Sequence, residues 1–300
     1  MKRNIILLLQ AAAVLLLTAA CQADLPTEQD ETLVPDPSAP IKLSGSAPIE
    51  TEANGVVTRA DNGQLGFTLY AVPSGSGSWP STPYINGVSA TLANGSGTAR
   101  RISFSPAAYW PVGGQSLKFI GVMKANGATT LSGGSVSLIA GQGEDKDVLL
   151  SNNFTGNKSS HSGSMTFNRL MARLIVKPGA DNKQVVTCKI NGGNSSATCN
   201  VLTGAMSNQS GTYTISYNTS SNSQTYYLIP GTTISQLTNV TAGGTSKGTI
   251  NLTNSSGSND SFTTAAGHSY TIEVTASQAV LTVNTNNSIG WGDGGNIELN

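Results

Sequence analysis

Few residues in this chain could do chemistry, and the best placed of them is Cys21, which ends an apolar stretch reading LLLTAACQAD over residues 15–24. Upstream, Lys2 and Arg3 form a basic head, residues 5–17 are almost wholly apolar, and Thr18, Ala19 and Ala20 are small. That order predicts a secretory signal peptide over residues 1–20. The apolar run is shorter than the roughly 20 residues a bilayer span requires, and Gln10 interrupts it, so removal fits better than a transmembrane anchor. Small residues followed by cysteine resemble a bacterial lipobox. There the thiol becomes a thioether to diacylglycerol, and the freed amine takes a further acyl chain such as palmitate. Two or more chains give stable anchoring where one is marginal. Cys21 is therefore the expected lipid-attachment residue.

The remaining candidates are weaker. Cys188 and Cys199 flank an Asn/Gly/Ser stretch in VVTCKINGGNSSATCNVLTG. An exported chain meets an oxidising compartment, and a turn here would bring adjacent strands past one another, so a Cys188–Cys199 disulfide is expected. So short a closed loop would contribute roughly 2–3 kcal/mol in the chain-entropy model, given Cα atoms within about 6 Å. The two histidines, His161 and His268, sit in polar or Gly/Ser segments with no nucleophile signature beside them. There is no C-x-x-C pair and no H-E-x-x-H. No catalytic group, metal or cofactor is expected. Glu144, Asp145 and Asp147 in GEDKD gather oxygen ligands of the kind calcium accepts. Their spacing matches no calcium loop, and a solvated turn is expected. Glycoside hydrolysis would need two carboxylates across a cleft, and the sequence names no such pair. Trp79, in SGSGSWPSTPY, is the most loop-like of the three tryptophans and, with Tyr84, the candidate platform for stacking on a sugar. Trp110 and Trp291 are expected to plug the ends of sandwiches.

These residues must be carried by strands. Lys+Arg and Asp+Glu balance at 16 each, without the clustered cations that a grip on nucleic acid requires. Only 11% of residues are charged, while glycine, serine, threonine and asparagine crowd the chain. Short polar side chains compete for backbone hydrogen bonds and disfavour long helices. Eight short runs bounded by turn residues predict strands, at residues 66–72, 116–123, 135–140, 212–217, 225–230, 248–253, 269–276 and 279–285. In the seventh, Ile272 and Val274 should face a core while Thr271, Glu273 and Thr275 face water. Many short strands need a second sheet to cover one face. The expected fold is all-β, with two tandem β-sandwich domains of the transthyretin-like, Greek-key kind at residues 41–157 and 158–300, divided within the polar stretch 151–164. Residues 21–40, acidic and rich in proline, bury too little to fold and read as a tether.

The stretches RISFSPAAYWPVGGQSLKFIGVM, KDVLLSNN and MTFNRLMARLIVK, followed by a closing strand that leads to SIGWGDGG, come in a characteristic order. In that order the chain resembles the fimbrillin-like proteins, lipoprotein pilins of the type V class on Bacteroidetes cells, over nearly its whole mature length. It departs from them at Arg169, where the family often carries histidine, and after FIGVM, which lacks the common aromatic-proline ending. The resemblance implies a non-enzymatic pilus subunit, or an accessory or tip component, lipid-anchored at the outer membrane, exposed on the cell surface and contributing to adhesion. Its partners would be other pilus subunits joined by β-augmentation. A protease would cut after Arg59, leaving Ala60 as the new N-terminus and releasing a leading strand at residues 41–46, and another subunit's segment would fill the gap. At the C-terminus, Ile297 and Leu299 would occupy two groove pockets, few for a long polymer joint, which favours an accessory role. Host or bacterial surface glycans or proteins are further expected targets. The alternative is a glycan-binding surface lipoprotein of a nutrient-uptake complex.

Overall fold

The computed structural model describes residues 33–47, 65–93, 100–124, 129–160, 163–179, 184–276, 279–283 and 292–293. The chain divides into two units, residues 1–34 and residues 35–300, and everything that follows concerns the second.

As far as Arg169 the strands are β1 (Pro35–Pro40), β2 (Leu43–Ser46), β3 (Leu65–Pro73), β4 (Ile85–Leu92), β5 (Arg100–Ser105), β6 (Tyr109–Pro111), β7 (Leu117–Lys124), β8 (Ser135–Ile139), β9 (Gly141–Gln142), β10 (Val148–Ser151), β11 (Phe154–Gly156) and β12 (Ser164–Arg169). The central pair, β3 and β7, is rich in aromatic and aliphatic residues suited to a pleated, buried surface. It pairs antiparallel with Leu69 opposite Gly121. β10 bonds to β12 along one edge and to β7 along the other. The order β12-β2-β5-β4-β3-β7-β10 therefore returns to its start, and the ladder closes on itself. Closure leaves every strand of the ring with a paired neighbour on both sides over at least part of its length. Its interior holds Phe67, Leu92, Ile102, Phe119, Met165 and Phe167, all buried. Phe67 meets Phe167 edge-on with ring centroids 5.0 Å apart. Gly121 makes room for that ring, since a Cβ there would lie 2.6 Å from Phe167 Cζ.

Beyond Arg169 come β13 (Ala172–Pro178), β14 (Val186–Asn191), β15 (Ser196–Asn200), β16 (Met206–Ser210), β17 (Thr214–Asn218), β18 (Gln224–Leu228), β19 (Thr233–Ile234), β20 (Gln236–Ala242), β21 (Thr245–Thr253), β22 (Phe262–Thr263), β23 (His268–Val274), β24 (Ala279–Val283) and β25 (Gly292–Asp293). The larger sheet here runs β17-β14-β20-β21-β24-β23-β13-β18-β9, with β25 beside β23. It encloses one apolar cluster, to which alternate residues such as Leu174, Val176, Tyr226, Leu228, Ile272 and Val274 contribute.

A second cluster joins the two halves. The outer faces of β3 and β7 supply Tyr70, Val72, Ile120 and Val122, and β18 turns Tyr227 toward them. These three strands are thus buried on both faces. Two ladders cross the expected division at 157/158, because β8 pairs with β15 and β9 with β18. β12, which lies beyond that division, belongs to the closed sheet.

Each of the eight expected runs contains a strand, and the described residues are all-β apart from one 3-10 turn at Glu144–Lys146. Ile272 and Val274 face the core as expected. Thr271 does not face water; it is buried, with β13 and β24 pairing on either side of it. Glu273 is partly exposed and bridges to Lys177 at 2.7 Å on the neighbouring strand.

Gly45 supplies a test of the packing inside the ring. A Cβ there would sit 2.7 Å from the Met165 carbonyl oxygen and 3.1 Å from Ile102 Cδ1. Gly45→Val should lower the free energy of unfolding by about 1–3 kcal/mol, the usual cost of overpacking, measured as a reduced urea midpoint. An unchanged midpoint would mean that β2 is not seated as described.

Candidate functional site

Among the described residues the most constrained feature is the setting of β2. This strand runs parallel to β12, with Ser44 opposite Ser164 and Gly45 opposite Met165. It runs antiparallel to β5, with Leu43 opposite Ile102 and Ser44 opposite Arg101. Alternation along the segment turns Ala39, Ile41 and Leu43 inward and leaves Lys42 exposed. Both edges of β2 are used. Without it, β5 and β12 would each present a bare edge beside the pocket formed by Leu92, Ile102 and Met165.

Local contacts fasten the segment that leads into it. β1 pairs with β6 outside the ring, and the Ile41 N–H donates to the Ala108 carbonyl at 2.9 Å. Asp36 accepts hydrogen bonds from Ser38 through its N–H, at 2.9 Å, and its hydroxyl, at 2.6 Å. Lys158 Nζ approaches its other carboxylate oxygen at 2.5 Å. The hydrogen bond from Lys158, then those from Ser38, lower the Asp36 pKa to about 2 from an ordinary 3.8. Toward residue 40 the segment swings away from β5. A cleft of about 490 Å³ opens there, flanked by Lys42, Arg101, Phe104 and Ala108.

The acidic turn differs from expectation. Glu144 is exposed and Asp145 partly so, but Asp147 is buried and forms an ion pair with the equally buried Arg169. The two residues sit at the seam where β10 meets β12, and the Leu170 N–H closes that seam onto the Val148 carbonyl at 2.8 Å. Asp147 is not a solvated turn residue because its carboxylate balances a cation that the fold places inside. Close by, a smaller cleft of about 220 Å³ is lined by Glu144, Arg173, Gln224 and Tyr227. Arg173 Nε donates to Ser269 Oγ at 2.9 Å. Burial lowers the Arg173 pKa to about 10 and raises that of Tyr227 to about 12.

The expected disulfide is absent: Cys188 and Cys199 are free, buried thiols. β14 and β15 do not pair with each other. β14 pairs with β17 and β20, while β15 pairs with β16 and β8. The intervening Asn/Gly/Ser stretch thus carries the chain from one sheet to another, placing Cys188 in the first apolar cluster and Cys199 in the second. Burial raises both thiol pKa values, that of Cys188 to about 11.

Trp79 packs against the second cluster, edge-on to Tyr70 with ring centroids 5.7 Å apart. The Tyr84 hydroxyl donates to the Tyr109 carbonyl at 2.6 Å. Trp110 is buried, edge-on to Phe119. His268 Nδ1 lies 3.0 Å from the Ala266 carbonyl oxygen. Among the described residues, no three of His, Cys, Asp and Glu converge so as to hold a metal ion. Cys21, Arg59, Ala60, His161, Trp291, Ile297 and Leu299 lie outside the described residues. Sequence reasoning missed Gly45, the Asp36–Lys158 bridge and the Asp147–Arg169 pair. Only Arg169 carried a signal, as a departure from the family pattern.

Two outcomes test these contacts. Asp147→Ala removes the carboxylate paired with the buried Arg169 cation and should lower stability by about 3–5 kcal/mol, the usual cost of breaking a buried pair. Asp147→Leu with Arg169→Met should recover most of that loss in the same denaturant titration. For Asp36 the folded pKa is depressed, so its contribution is full above 3.8 and lost as pH falls through about 2. In Lys158→Ala the Asp36 carboxyl should titrate closer to 3.8 by NMR; an unmoved titration would discount the bridge.

Residues 56–290 match the family model described as fimbrillin-like. No curated protein matches the chain. Among solved structures it is similar to a candidate cell-adhesion protein from Bacteroides uniformis, at 17% identity and a TM-score of 0.54, covering 82% of this chain and 97% of that one. A candidate cell-adhesion protein from Bacteroides ovatus aligns at 15% identity and a TM-score of 0.49, covering 84% of this chain and 98% of that one. A fimbrial assembly protein from Parabacteroides distasonis aligns at 12% identity and a TM-score of 0.47, covering 81% and 99%. At 17% identity the first likeness is one of fold. The family match runs from before β3 to beyond β24, most of the length of the chain, and the chain belongs to the fimbrillin-like family.

Proposed function

We propose that this chain is a cell-surface fimbrial subunit, or an accessory or tip component, that assembles by exchanging a β-strand and contributes to adhesion. Lipid on Cys21 anchors it to the outer membrane. Cleavage after Arg59 frees β2 together with the anchor, and a segment of another subunit takes its place. The observation that carries this reading is the insertion of β2 between β5 and β12 in a closed ladder. A backbone polar group left buried without a partner costs about 1–3 kcal/mol, so a ring that has lost one strand favours whatever segment can re-pair both edges.

The function needs no reactive side chain, and the chain acts as a structural protein. Its two lobes are the closed sheet and the β13–β24 sheet, coupled through the ladders of β8 and β9. No observation favours the glycan-binding alternative, because Trp79 and Tyr84 are engaged with the protein's own groups.

Mass spectrometry of material shed from producing cells should find an N-terminus at Ala60, and removing residues 291–300 should abolish incorporation into pili. Shed protein that begins at lipidated Cys21, together with pili of normal composition after the truncation, would overturn the reading.

A further inference from the structure

We infer that the cleft beside β2 is a landing site for the segment Ile297-Glu298-Leu299 of a second copy of this chain. The choice of occupant rests on the strand-exchange reading above, although the cleft is open while β2 is still in place.

The cleft has one backbone wall and one charged rim. β2 accompanies β5 only as far as Leu43 and Ile102. Beyond that rung, Ser103, Phe104 and Ser105 pair with Thr91, Ala90 and Ser89 of β4 on one side. On the other side no strand pairs with them among the described residues, since the segment leading into β2 has turned away to Ala108. The free edge faces the 490 Å³ cleft. Inward-facing Ile102 is buried and Phe104 partly so, while Arg101, Ser103 and Lys42 are exposed. The lining holds two cations, Lys42 and Arg101, and no carboxylate.

An occupant must therefore be extended, apolar at alternate positions and acidic between them. Ile297-Glu298-Leu299 has that pattern. It repeats the spacing of Ile41-Lys42-Leu43, with a carboxylate in place of the ammonium. Continuing the β2 register on β5 sets Ile297 opposite Phe104 and Glu298 opposite Ser103. Leu299 then reaches Ile102, the rung that Leu43 occupies. Glu298 falls on the outward face, diagonal to Arg101 at the roughly 7–8 Å that long side chains bridge, and beside Lys42. Lys42, just before β2, and Arg101 of β5 both line the cleft, like charge with like charge. A docked segment thus gains two rungs before it competes with β2, and brings a carboxylate to a rim that holds two cations. Exchange proceeds from this toehold toward Gly45.

The test uses two differently tagged pools of the purified full chain. One carries Ser105→Cys and the other Asn296→Cys, positions opposite each other in this register. Under mild oxidation they should form an interchain disulfide at least about tenfold more than when the first pool carries Ser207→Cys, exposed on β16. Reversing charge with Lys42→Glu and Arg101→Glu should cut the yield about three- to tenfold, in the range of exposed pair energies. Glu298→Lys in the second pool should restore it. Unchanged thermal unfolding of the charge-reversed chain keeps that comparison clear of misfolding. Equal cross-linking at 105 and 207, or indifference to charge reversal, would overturn the landing site. Strand exchange is scored separately, by SDS-resistant multimers on producing cells that vanish when residues 291–300 are removed. Multimers without the 105–296 cross-link would leave exchange standing and the landing site refuted; the cross-link without multimers would do the reverse.

Discussion

Everything in the first lobe depends on a four-residue strand being paired along both edges. β2 contributes little apolar mass, since Leu43 and Gly45 are its inward residues, and its importance lies in its backbone. Between β12, to which it is parallel, and β5, to which it is antiparallel, it completes a ring of hydrogen bonds. Closed sheets are stable against edge pairing because nothing is left to pair.

The rest of the fold keeps that ring in shape. β3 and β7 are buried on both faces, one against the interior of the ring and the other against the second cluster. β18 does the same from the opposite side, sending Tyr226 and Leu228 to one cluster and Tyr227 to the other. The lobes therefore share a continuous packed layer in place of a hinge. The Asp147–Arg169 pair stands at the seam of the ring, beside this layer. A buried ion pair adds little net stability over apolar residues of the same shape, but removing one partner is costly. Its placement suits a role in fixing the register of β10 against β12, where a slip by one residue would turn every side chain to the wrong face.

Much of this was legible along the chain. Each of the eight runs read as strands contains one, because alternation and turn residues are local signals that tertiary packing had no reason to override. The burial of Trp110 and the inward facing of Ile272 and Val274 follow from the same alternation. Asp147 and Thr271 were misread as solvent-facing, because charge and polarity predict exposure only when no distant partner or neighbouring strand intervenes. Cys188 and Cys199 looked like a hairpin pair for a similar reason. Eleven positions of sequence separation suggest proximity, and only the sheet assignments reveal that the chain crosses between layers there.

By itself the sequence determined the strand content, the turn positions and the family, all of which rest on residue type and short-range order. The tertiary structure alone decided that the first sheet closes, that β2 is the piece closing it, and that β8 and β9 are lent to the second half. It also set the open edge of β5 beside Lys42 and Arg101. These are matters of which edge meets which. Backbone N–H and C=O groups are the same in every residue but proline, so strand partners are chosen by packing across the whole chain and leave no mark on any one segment.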